Sequence, residues 1–244
     1  MGESERRYLV RSLGALSLAG LLALVLSTIS PVDFSRAAAP DRHNESVEGR
    51  AYVIDGDTIE ILGTRVRLEG IDAPEAGQQC FRAEGPSWNC GMVAARVLAE
   101  LVADENVRCE GSERDRYDRL IAVCWVGSLE INAEMVRRGL AWAFVRYSKR
   151  LLNEEHEARN RRLGIWQAEN EPAWNFRAKR WAQAEAHAPG GCAIKGNISR
   201  QGRIYHLPGS AYYDAVDIDQ SRGERWFCTE SEAIAAGWRP ALTN

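Results

Sequence analysis

The chain predicts a mainly β fold with helices: a five-stranded barrel, then C-terminal helices, then a small α+β tail. Three observations predict it. Residues 50–71 alternate like β-strand, with turn residues between the runs. Residues 92–102 carry Val93, Val97, Leu98 and Leu101 at helical spacing. Two further β-like runs follow before residue 127. In order, Arg50 to Ile54, Thr58 to Leu62 and Arg65 to Ile71 read as strands, separated by turns at Gly56 and at Gly63-Thr64. Gly77 to Asn89 reads as a loop, Met92 to Val102 as a helix, and Val107 to Cys109 and Leu120 to Val126 as strands. Three strands, a helix and two strands is the order of an OB-fold barrel. Asn132 to Arg138 then reads as a short helix ended by Gly139, and Leu151 to Arg162 as a charged amphipathic helix. Pro172 opens a last helix through Trp174, Phe176 and Trp181 to about Ala186.

Ala188-Pro189-Gly190-Gly191 marks a boundary. In the tail beyond it, Ile204 to His206 and Arg225 to Phe227 read as strands, and Thr229 to Glu232 as a capping box. The tail resembles a short I-K-G-N … I-Y-H-x-P-G … W-F-C module that follows several exported bacterial proteins. Its Tyr205, Tyr212, Tyr213, Trp226 and Trp238 could stack on bases or sugars, but such residues are more often the core of a small domain, the reading favoured here. His206 reads as structural.

The domain plan is therefore residues 1–39 as a signal peptide or membrane anchor, 40–48 as a linker, 49–187 as the barrel domain and 188–244 as the tail module. Arg6, Arg7 and Arg11 precede an uncharged run from Leu13 to Ile29, and small residues at Ala37 to Ala39 suit cleavage. The run is also long enough to span a bilayer. Either reading exports the rest, as a secreted, periplasmic or membrane-anchored protein, with membrane contact only through that segment. Cys80, Cys90, Cys109, Cys124, Cys192 and Cys228 make an even count, which in an exported chain points to disulfides. Proximity favours Cys80–Cys90 across a loop, Cys109–Cys124 across a hairpin and Cys192–Cys228 within the tail. A zinc site competes, but no C-x-x-C or H-x-x-x-H spacing occurs.

The formal charge of −3 excludes a globally basic nucleic-acid packaging protein. Any phosphate recognition must be local, through a few placed arginines. Residues 53–75, V-I-D-G-D-T-I-E-I-L-G-T-R-V-R-L-E-G-I-D-A-P-E, suit that task. Asp55, Asp57, Asp72 and Glu75 fall at strand ends or turns, where side chains can converge. Arg67 lies between Val66 and Leu68 and must face outward or find a partner, since burying it unpaired is costly. Hard oxygen ligands beside a strand-borne arginine suit a calcium ion and a phosphate. Each feature alone also reads as a turn or a solvated surface.

The D-G-D-T turn, the R-L-x-x-I-D-A-P-E run and the later D-R-Y-D-R-L together resemble the staphylococcal nuclease family, over roughly Gly49 to Trp166. The resemblance implies a calcium-dependent nuclease acting on DNA and RNA with little sequence specificity, cutting the 5′-O–P bond to leave 3′-phosphates. It implies calcium held by Asp57, Asp72 and the backbone carbonyl of Ala73, where the staphylococcal enzyme has threonine, with Asp55 in support. Glu75 matches the general base, and Arg67 and Arg119 the two phosphate-binding arginines. Tyr117 and Tyr147 match tyrosines near the nucleotide. A second family tyrosine falls at Val145, whose phenol is absent, with Arg146 adjacent. No obligate protein partner is evident. The rival reading is a non-catalytic envelope protein that binds nucleic acid or polysaccharide, linked to exopolysaccharide production.

Overall fold

A computed structural model describes residues 44–210 and 212–241. The expected signal or anchor lies outside them. The described residues cluster as one compact unit. Among the described residues, no helix is long and apolar enough to cross a membrane.

The barrel forms from β1 (Glu45–Val53), β2 (Thr58–Ile61), β3 (Thr64–Leu68), β7 (Asn106–Arg114) and β8 (Leu120–Val126). Strands β3, β2, β1, β7 and β8 pair antiparallel in that order, and β3 closes the ring by pairing parallel with β8. Alternation drives this closure: Ile59, Ile61, Val66, Leu68, Val107, Leu120 and Ala122 all turn inward and are buried. Between β3 and β7 lie β4 (Ile71–Asp72), β5 (Gln79–Cys80), β6 (Trp88–Asn89) and the helix α1 (Cys90–Val102). Helix α1 starts where the Asn89 side chain accepts the Met92 N–H, and it buries Ala94 and Leu98 against the barrel. After β9 (Leu129–Glu130) come α2 (Ile131–Arg137), β10 (Trp142–Ala143), α3 (Leu152–Asn160) and a 3-10 turn at Gly164–Gln167 that buries Ile165.

Two polar segments are strand where the sequence predicts linker or turn. Residues Glu45–Glu48, read as linker, are strand, and β7 runs on to Arg114 instead of stopping at Cys109. Glu45 to Glu48 pair with Gly111 to Arg108, and Arg114 pairs with Glu45. Each segment is too polar to announce a strand alone. The ladder hydrogen bonds come from the other.

Helix α4 (Ala173–His187) follows Pro172, and Trp174 docks it on the barrel. The Trp174 ring meets Trp142 edge-on at 6.1 Å and stacks on Phe144 at 5.6 Å. Gln78 reinforces the seat by donating to the Glu171 carbonyl at 2.7 Å. The tail forms a four-stranded sheet of β11 (Ile194–Ser199), β12 (Gly202–His206), β13 (Arg225–Phe227) and β14 (Arg239–Pro240), with the short helix α5 (Glu230–Ala235). Its central strand β11 was not expected, because K-G-N carries no β pattern. Gly196 is there because an added Cβ would lie 2.5 Å from the Phe227 ring. Ile194, Tyr205, Phe227, Ala233 and Trp238 form the tail core, joined by Trp181 of α4. Tyr213 is also buried, whereas Tyr212 is exposed. Thr229 caps α5 as expected, but Glu232 reaches back to the Cys228 N–H rather than to that of Thr229 itself.

All three expected disulfides are present, and there is no free cysteine among the described residues. Cys109 and Cys124 sit directly opposite each other in the β7–β8 ladder. Three bridges suit an oxidising compartment and displace the zinc alternative. His206 is buried, with Nε2 on the Asn197 side chain at 3.0 Å.

Candidate active site

The site lies at one end of the barrel, where the β1–β2 turn, the end of β3 and the segment after β4 meet. The turn is tight because the Ile54 N–H donates to the Thr58 carbonyl at 2.9 Å and Asp55 accepts the Asp57 N–H at 3.0 Å. Gly56 permits close packing, since a Cβ there would stand 2.7 Å from the Ala73 methyl group. Asp57 is thereby held against Ala73, whose N–H donates to Asp57 Oδ2 at 2.8 Å, and Thr58 Oγ1 donates to Oδ1 at 3.2 Å. Asp55 supports the turn rather than facing the cleft alone, and burial pushes its carboxyl up while Arg67 pulls it down.

Arg67 projects from β3 between Thr58 on β2 and Ile121 on β8. Its guanidinium pairs with Asp57, reaches Asp72 Oδ1 at 2.9 Å and donates to the Ile71 carbonyl at 3.3 Å. Burial pulls it below the ordinary arginine value, against the charges of Asp72 and Asp55. Asp72 is fully buried at the end of β4, opposite Trp142. Glu75 follows Pro74, its N–H held by Gln78 Oε1 at 3.2 Å. Burial raises the Glu75 carboxyl above its ordinary 4.5, with Arg177 pulling the other way. Arg119 stands just before β8, two residues from the strand partner of Arg67 and so on the same face. Its Nε donates to Asp115 Oδ2 at 2.7 Å, and its charge is felt by both Asp55 and Arg67.

Asp55, Asp57, Arg67, Asp72 and Glu75 therefore share one cleft, with Arg119 at its edge. Four carboxylates with hard oxygens match calcium in donor chemistry. In the form described they are occupied by guanidinium and N–H donors, and no three of the described carboxylate, Cys or His side chains are grouped as a metal cage.

A family profile described as "Staphylococcal nuclease homologue" matches residues 65–168. "Succinoglycan biosynthesis protein ExoI" of Rhizobium meliloti is 38% identical over 139 residues, 56% of this chain and 73% of that protein. "Micrococcal nuclease" of Shigella flexneri is 36% identical over 143 residues, 51% of this chain and 76% of that protein. The chain belongs to the staphylococcal nuclease homologues. An "Uncharacterized endonuclease" of Haemophilus influenzae is similar too, 35% identical over 127 residues, 49% of this chain and 65% of that protein. A second profile, "ArfC", matches residues 176–240.

Two tyrosines of this staphylococcal nuclease homologue are placed unlike the rest. Tyr147 is exposed and packs on Phe144, ring centroids 5.0 Å apart. Tyr117 turns toward the tail: its hydroxyl donates to Glu230 Oε1 at 2.9 Å and accepts from Arg116 at 2.7 Å. Burial and the Glu230 carboxylate push that hydroxyl up to about 12. The guanidinium of Arg119 lies 5.3 Å from the Tyr117 ring centre.

Sequence reading missed Arg177. It lies in α4, beyond the nuclease-homologue match, and no motif marks it. Its Nη2 donates to Asp72 Oδ2 at 2.8 Å, while Nη1 reaches Asp72 Oδ1 at 3.1 Å and Glu75 Oε1 at 2.5 Å. Burial opposes its charge, yet these bonds and the charges of Asp72 and Glu75 hold it well above the ordinary arginine value. The available signal was spacing: Trp174 and Arg177 are three residues apart on one helix face, so docking the first aims the second.

Gly91, in the first turn of α1, sets where Glu75 lies. A Cβ at Gly91 would fall 1.8 Å from the Glu75 carbonyl oxygen. Gly91→Ala should displace the Glu75 backbone, costing about 1–3 kcal/mol in stability and lowering kcat more than KM. Thermal melts and steady-state kinetics on the oxidised protein check both. Unchanged kcat with a native melting temperature would remove Gly91 from the positioning of Glu75.

Proposed function

We propose that this protein is an exported, calcium-dependent nuclease that hydrolyses phosphodiester bonds of DNA and RNA with little sequence specificity. The observation that carries this reading is the convergence of Asp57, Arg67, Asp72 and Glu75 in one cleft, with Arg119 just before the neighbouring strand β8. Asp57 and Asp72, with the Ala73 carbonyl, would hold calcium. An ion held there would supply charge neutralisation and Lewis-acid polarisation to a bound phosphodiester. Asp55 keeps the Asp57 turn in place. Arg67 and Arg119 present guanidinium forks to paired phosphate oxygens, which lysine could not match with its point charge. Their contacts to phosphate carry no base identity, hence the low specificity. Glu75, with its raised carboxyl, accepts a proton from the attacking water. The water oxygen bonds to phosphorus as the P–O5′ bond breaks, the 5′ oxygen takes a proton from solvent and leaves as the alcohol, and the other strand end keeps a 3′-phosphate. Tyr117 and Tyr147 match family positions near the nucleotide, and to contact one Tyr117 would need to share its hydroxyl with Glu230.

Export is supported by the three disulfides and by the N-terminal sequence pattern. The deciding experiment is digestion of single-stranded and duplex DNA by the oxidised chain, with calcium and with EGTA. Calcium-dependent cleavage with a preference for single strands is expected, since OB grooves accept splayed bases. A folded, oxidised protein that cuts neither substrate sinks the reading.

A second reading rests on the Rhizobium relative, whose name places it in succinoglycan biosynthesis. On that reading the chain serves exopolysaccharide production and the barrel is a scaffold. Retention of the full chain on an acidic exopolysaccharide matrix, unaffected by Arg67→Ala, would favour it. Absence of retention would remove it.

A further inference from the structure

Arg177 gives the cleft a cation of its own, and its bearing on metal binding rests on the calcium reading proposed for this site. Both Asp72 oxygens accept from Arg177, and Glu75 Oε1 does so too. A divalent cation bound by Asp72 needs oxygen lone pairs now turned toward guanidinium groups, and it cannot sit beside two of them without strong repulsion. One arginine must yield. Arg67 has a side chain 17% exposed, stands in the barrel wall, pairs with both Asp57 and Asp72 and donates to a backbone carbonyl. Arg177 is 36% exposed and comes from a helix that buries only Ala173. Its hydrogen bonds run to Asp72 and Glu75. Arg177 is the group free to leave.

We infer that Arg177 is the internal counter-ion of this site: a positioning residue that holds Asp72 and Glu75 in place and competes with calcium for Asp72. The affinity for calcium is then set in part by α4. That helix is fixed at one end by Trp174 against the barrel, and further along by Trp181 in the tail core and by the Arg180–Asp214 pair. Arg177 is the second residue of the ArfC-matching segment. A segment outside the nuclease-homologue match thus tunes the nuclease site.

The test is calorimetric titration of the full, oxidised chain with calcium chloride, without nucleic acid. The wild type is compared with Arg177→Gln and Arg177→Lys. Removing a competitor raises apparent affinity by the inverse of the fraction of molecules in which the seat is free, so Arg177→Gln should bind calcium about tenfold more tightly or better. Arg177→Lys should fall between, since an ammonium meets one carboxylate at a time. If Arg177→Gln does not fold, the lysine variant alone decides, with a rise of a few-fold expected. A merely structural arginine would weaken calcium binding when replaced. Equal or weaker binding in the folded variants therefore overturns the inference and leaves the calcium reading standing. No calcium binding by any of the three overturns both, and digestion in EGTA by the wild type then shows whether the nuclease reading survives without the ion.

Discussion

Glu75→Gln should lower turnover on single-stranded DNA by about 10²–10⁴-fold while changing KM little. Glutamine keeps the shape and can still accept a hydrogen bond from Arg177, so the fold should persist. What it loses is the capacity to take a proton. The wild-type pH profile supplies a second check. Burial raises the Glu75 carboxyl above its ordinary 4.5, and a base must be deprotonated to act. Activity should fall as pH drops through that raised value, so the acid limb sits above the ordinary glutamate range. The limb should vanish from the residual activity of Glu75→Gln. A variant with unchanged kcat, or one that keeps the same limb, would remove Glu75 from the mechanism.

Arg67→Ala should cost more, because Arg67 has two tasks. It faces the phosphate, and loss of a charged transition-state contact of that kind costs about 10³-fold or more in kcat. It also bridges Asp57 and Asp72, two buried carboxylates. Removing one partner of a buried pair leaves uncompensated charge, at about 3–5 kcal/mol. Arg177 remains on Asp72, so the lower end is expected, while Asp57 keeps only its Ala73 and Thr58 donors. Arg67→Lys separates the two tasks. It should restore most of the stability by charge and little of the activity, since the bidentate fork is gone. Urea unfolding of all three proteins, beside single-turnover cleavage, measures both. A stable, active Arg67→Ala protein would show that the cleft does not work on phosphates through Arg67.

The sequence by itself determined the barrel order, the helix positions and the three cysteine pairs, and its motifs pointed by family resemblance to the residues between Asp55 and Glu75. These were legible because they depend on local physics: period-two alternation, glycine and aspartate in turns, a cap at a helix start, and an arginine that could not be buried alone. The tertiary structure decided what depends on distant partners. Glu45–Glu48 and Glu110–Arg114 become strand only because each supplies ladder partners for the other. Strand β11 exists because Gly196 lets it lie against Phe227. Tyr117 is drawn toward Glu230, 113 residues away. Arg177 reaches Asp72 across 105 residues, through a helix docked by one tryptophan. No window of sequence contains such a pair, and a charged residue on a polar helix looks solvated until the carboxylates it meets are known.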